Sequence, residues 1–140
     1  MITIEVRGLP APQGSKRHIG HGIMIESSKA VGPWREAVRA ETQRARQDVH
    51  ASPMHGPLCL SVTFYLPRPK GHYRTGRNAH LLKPSAPSAP DTRPDLDKLL
   101  RAVLDGLTAG GAWADDAQVA LIEAAKVYGP PGCRIEVKAL

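Results

Sequence analysis

Arg93-Pro94-Asp95-Leu96-Asp97-Lys98-Leu99-Leu100-Arg101-Ala102-Val103-Leu104-Asp105-Gly106-Leu107 is the stretch on which the fold turns. Pro94 restricts Arg93 to extended geometry, so a helix starts only after it. Leu96, Leu99, Leu100, Val103, Leu104 and Leu107 then recur at helical spacing. That makes one continuous apolar face, which has to pack on a sheet. Gly110-Gly111 supplies the stop. Three acids surround this helix: Asp95 and Asp97 at its start, and Asp116 just beyond the turn that ends it.

Immediately upstream, residues 67–94 hold six of the 13 prolines, and Arg68, Lys70, Arg74, Arg77, Lys83 and Arg93 face a single acid, Asp91. The segment carries a net +5 of the whole chain's +6. A connection this long is either functional or disordered, and contact with an anionic polymer explains the charge in both cases.

Strands lie on either side. Leu58, Leu60, Val62, Phe64 and Leu66 alternate with Cys59, Ser61, Thr63 and Tyr65, the pattern of a central strand. Ile2, Ile4 and Val6 alternate with Thr3, Glu5 and Arg7, which ends at Gly8-Leu9-Pro10. Gln13-Gly14-Ser15-Lys16-Arg17 reads as a basic loop. It is not a phosphate-binding P-loop, because five residues, two of them proline, separate Gly8 from Gly14 and Ser15 intervenes before Lys16. Pro33 to Val49 reads as a helix with an apolar stripe of Trp34, Ala37, Val38, Ala45 and Val49. Gln118 to Tyr128 favours a strand, with a helix still open. Cys133 to Ala139 gives a last strand after Gly129-Pro130-Pro131-Gly132, so the two are expected as a terminal hairpin. The fold class expected is α+β: a small mixed sheet with two main helices packed on it, residues 1–140 forming one domain.

Composition removes several functions. No apolar run approaches the length of a membrane span, and Met1-Ile2-Thr3-Ile4-Glu5-Val6-Arg7 lacks the order of a secretory signal, so no membrane partner and a cytoplasmic location are expected. Cys59 and Cys133 form no CxxC pair, which argues against a disulfide framework or a zinc knuckle. The six aromatics are too few for a base-stacking platform, so charge has to supply affinity for nucleic acid.

The acids carry the chemistry. Asp is favoured at helix N-termini as a cap, so Asp95 or Asp97 alone reads as one. The conjunction points further. Clustered carboxylates repel each other unless a hard cation, Mg2+ above all, holds them. A metal pocket beside a phosphate-binding loop is the arrangement of a metal-dependent nuclease.

At these residues the chain resembles the RusA family of Holliday-junction resolvases, which is common in prophages. The resemblance rests on residues 93–107 together with Gly111-Ala112-Trp113-Ala114-Asp115-Asp116-Ala117-Gln118-Val119, and more weakly on Gly8-Leu9-Pro10 with Lys16-Arg17. It implies a Mg2+-dependent endodeoxyribonuclease (Mn2+ being the alternative ion) that acts as a homodimer and nicks symmetric strands of a four-way DNA junction. It places the catalytic and metal-binding roles on Asp95, Asp97 and Asp116, with Asp115 as a supporting neighbour. The chain departs from the family at Lys98, where Asn is usual, and at Arg101, where a catalytic Lys is usual. Arg101 stays protonated, so its expected role is electrostatic stabilisation rather than proton donation.

Lys16, Arg17, Lys70, Arg74, Arg77, Lys83, Arg93 and Lys98 are the expected phosphate contacts, with no nucleotide cofactor. Two rival functions stay open: a non-catalytic DNA-binding or phage-associated module, and a nuclease of similar chemistry acting on another branched nucleic acid.

Overall fold

The computed structural model describes residues 1–14, 16–18, 24–26 and 29–140, with the backbone alone for 16–18 and 24–26. The elements are β1 (Ile2–Arg7), β2 (Lys16–His18), β3 (Met24–Glu26), α1 (Val31–Asp48), β4 (Leu58–Leu66), α2 (Leu96–Ala109), β5 (Val119–Tyr128) and β6 (Gly132–Ala139). Short 3-10 turns lie at Lys70–His72, Gly76–Asn78 and Asp116–Gln118.

The main sheet has the order β1-β6-β4-β5. β6 runs antiparallel to both β1 and β4, and β5 runs parallel to β4, so the sheet is mixed and the fold is α+β as expected. β4 is an inner strand, and its alternation is real: Leu58, Leu60, Val62, Phe64 and Leu66 are buried.

The expected terminal hairpin does not form. β5 and β6 lie on opposite sides of β4, and Gly129-Pro130-Pro131 carries the chain across its end, where the Gly129 N–H donates to the Leu66 carbonyl at 3.0 Å. Burial explains the choice. Cys133, Ile135 and Val137 of β6 are at most 3% exposed, whereas Leu121 and Ile122 of β5 are each 41% exposed. The more apolar inward face takes the inner position, and the strand with less to bury takes the edge. Two sheet spacings come to about 10 Å, which three linking residues can span.

A second correction concerns Lys16–Arg17. They belong to β2, paired antiparallel with β3 in a separate two-stranded sheet, rather than to a loop.

α1 buries Val31, Trp34, Val38 and Thr42, with Ala37 and Ala45 partly covered. Val49, expected in its stripe, is instead 61% exposed past the helix end. Thr42 enters the core because its hydroxyl donates to the Val38 carbonyl at 2.7 Å, which satisfies its one polar group. α2 buries Leu99, Ala102, Val103, Gly106 and Leu107. The helices cross closely because Gly106 and Gly110 present no side chain: a Cβ at either would sit under 3 Å from Val38 or Thr42 of α1.

The basic segment 67–94 has an internal framework. The Arg74 N–H donates to the Leu81 carbonyl and the Lys83 N–H to the His72 carbonyl, both at 2.8 Å, and Tyr73 pairs with Leu82 in an isolated bridge. Arg68 anchors it. Its guanidinium lies 4.1 Å from the centre of the Tyr128 ring and donates to the Pro87 carbonyl at 2.8 Å.

Candidate active site

α2 starts where two elements meet. Asp95 is its N-cap residue in extended conformation, and the Leu99 N–H closes the first turn on the Asp95 carbonyl at 3.1 Å. The Asp95 carboxylate makes no capping hydrogen bond. It pairs instead with Lys98 Nζ at 3.7 Å. The capping role that competes with ligation therefore goes unused. From the sheet edge, Lys126 of β5 donates through Nζ to the carbonyls of Thr92 at 2.8 Å and Pro94 at 3.0 Å, which ties the start of α2 to β5. The Arg93–Pro94 peptide is cis.

Asp97 and Arg101 are exposed and four residues apart, so they share one face of α2. Asp105, four residues further, lies on the same face and is also exposed. Sequence reading missed Asp105 as part of this surface, although its spacing from Asp97 and Arg101 was the available signal.

Asp116 is presented by a well-defined turn. The Asp115 carboxylate accepts from the Ala117 N–H at 2.9 Å, while Gln118 Oε1 accepts from the N–H groups of Ala114 and Asp115. Gln118 Nε2 donates to the carbonyls of Met54 and Gly56, fixing the turn to the chain before β4. Asp115 thus caps the turn that carries Asp116. The Asp116 carboxyl is pushed above the ordinary carboxylate range by local desolvation, by a hydrogen bond with Asp115, and by the negative charge of Asp115 and Asp105.

The structure therefore brings Asp95 and Lys98 together, sets Asp97 and Arg101 on one helix face, and leaves Asp116 within the electrostatic reach of Asp115 and Asp105. Among the described residues, no three His, Cys, Asp or Glu side chains are gathered to hold a metal. In donor type the acids do suit a hard divalent ion, all being carboxylates, and Asp116 carries the raised affinity for a proton that a nearby cation relieves.

Of the expected phosphate contacts, Lys70, Arg74, Arg77, Lys83 and Arg93 are exposed, and Lys98 is half-buried. The side chains of Lys16 and Arg17 lie outside the described residues. Among the described residues, no helix is long and apolar enough to cross a membrane.

This end of the fold thus presents carboxylates at the start of a helix, a cationic side chain one turn on and a basic segment before it. Among known families, the model described as Endodeoxyribonuclease RusA matches residues 7–138. The chain belongs to the RusA family, endodeoxyribonucleases that hydrolyse phosphodiester bonds and resolve Holliday junctions. Nucleases of this family are generally dependent on a divalent metal. No curated protein matches the chain.

Proposed function

We propose that residues 1–140 act as one domain, a Mg2+-dependent, structure-selective endodeoxyribonuclease that resolves four-way junctions as a homodimer, by paired symmetric nicks, inside the cell. The observation that carries this reading is the exposed face of α2, where Asp97 and Arg101 stand together just after Asp95 and directly behind the basic segment. A two-fold dimer suits a substrate that is itself roughly two-fold, one site per nick.

Asp95, Asp97 and Asp116 would hold the ion, which supplies Lewis-acid polarisation of a phosphoryl oxygen. Arg101 offsets the charge that grows on the phosphate; its guanidinium stays protonated throughout, so it does not serve as a proton donor. Lys16, Arg17, Lys70, Arg74, Arg77, Lys83, Arg93 and Lys98 hold backbone phosphates without reading sequence. Lys126 fixes the start of α2, and with it Asp95, against the sheet edge.

The test is cleavage of four-way junctions, flaps, plain duplex and RNA in Mg2+ by the parent and by Asp95→Asn. The expected result is preferential cutting of junctions by the parent and retained binding without cutting by the variant. Equal rates on plain duplex would remove the resolvase assignment. A parent that binds junctions and cuts nothing would leave a non-catalytic DNA-binding module.

A further inference from the structure

The exposed face of α2 places an acid on either side of Arg101, Asp97 one turn before and Asp105 one turn after. Either spacing allows an ion pair along a helix. Nevertheless, among the described residues the Arg101 guanidinium has no hydrogen bond or ion pair. Asp105 has another partner. Its Oδ2 accepts from Nε2 of Gln13. Gln13 is itself held at two more points: its Oε1 accepts from Arg35 Nη1 of α1 at 2.9 Å, and its backbone N–H donates to the Lys98 carbonyl at 3.0 Å. The next residue, Gly14, has φ +122°, and a Cβ there would collide with Arg101 Nη1. The chain thus crosses α2 with an amide on Asp105 and an open space for the guanidinium.

We propose that Gln13 is a positioning residue: by occupying Asp105 with a neutral amide donor, it leaves Arg101 unpaired and available to a DNA phosphate. This rests on the junction-binding reading above. An amide satisfies a carboxylate lone pair without a competing full charge. Without it, Asp105 is free to close the pair with Arg101, and a cation so neutralised releases no counterion from DNA.

The experiment is a salt titration of four-way-junction affinity in EDTA, so that no cutting intervenes, for the parent, Gln13→Ala, Asp105→Asn and the double variant. One lost phosphate contact lowers the slope of log affinity against log salt by roughly 0.9. Gln13→Ala is expected to show that loss with a several-fold weaker affinity. Asp105→Asn should restore both in the Gln13→Ala background, by more than it changes the parent. Gln13→Asn, one methylene too short to reach Asp105, should behave as Gln13→Ala and serves where the alanine variant folds poorly.

An unchanged slope in Gln13→Ala and Gln13→Asn, or strictly additive effects in the cycle, overturns the proposal. A parent with no affinity for the junction overturns the functional reading and this inference with it, whereas a parent that binds with additive variants overturns this inference alone.

Discussion

Lys126 Nζ, on the outermost strand of the sheet, donates to the Pro94 carbonyl at 3.0 Å, one residue before the acid that opens α2. With its second bond, to the Thr92 carbonyl, it sets where that acid stands. Lys126→Met keeps the length of the side chain and removes both bonds. The expected loss of stability is modest, about 1 kcal/mol, because the site is partly solvated. The expected loss of junction cleavage is larger, about 10-fold or more at saturating DNA, because small displacements of reacting groups are costly. Urea unfolding beside single-turnover cleavage checks this; a rate that falls only with the folded fraction defeats it.

Arg101 distinguishes charge stabilisation from proton transfer. Arg101→Ala should slow single-turnover cleavage by about 10²-fold, the scale of one lost electrostatic donor. Arg101→Lys keeps the charge and should stay within roughly 10-fold of the parent. If the lysine variant falls as far as the alanine one, bidentate guanidinium geometry matters rather than charge.

The raised Asp116 carboxyl has a definite pH signature. Its folded pKa lies above the ordinary 3.8, so in the window just above 3.8 the folded state holds a proton that the unfolded state has released. Metal-free stability should therefore fall as pH rises through that window, and Mg2+ affinity should rise as the proton leaves. Asp115→Asn removes a negative neighbour and should move both changes to lower pH. Metal titrations at several pH values for parent and variant check this; a variant curve displaced to higher pH contradicts it.

Cys133 is buried in β6, and burial pushes its thiol up to about 12 from 9.0. Between these values the unfolded state releases the proton and the folded state keeps it, so stability should decline with rising pH, by about 1.4 kcal/mol per pH unit well inside the window. Cys133→Ser should flatten that decline. Alkylation of the native protein at pH 8 should spare Cys133 and become rapid only on unfolding. Fast alkylation under native conditions would mean that the strand opens locally.

Most of the framework was legible because each element carried its own period. β1, β4 and α2 follow from alternation or helical spacing within their own residues, and their observed limits differ little from those read. Position in the sheet was not legible in the same way. The turn at Gly129-Pro130-Pro131 reads as a hairpin locally, and only the competition between β5 and β6 for the place beside β4 sends the chain across instead. The same limit applies to the site. Asp95, Asp97 and Arg101 announce themselves in one segment, whereas the link from Gln13 to Asp105 joins residues 92 apart. No local pattern announces such a contact, since it depends on how the residues after β1 lie over α2.

β4 and β5 run side by side in the same direction, and everything between them, from Pro67 to Gln118, is a single crossover. The basic segment, α2 and the Asp116 turn thus hang from two neighbouring rungs of one ladder. Closing so long a connection before its contacts form is entropically unfavourable and slow. During synthesis, β5 cannot complete this ladder until the residues up to Tyr128 have emerged, so a ribosome-bound fragment ending within α2 would carry the cations and the first acids with no second rail to hold them.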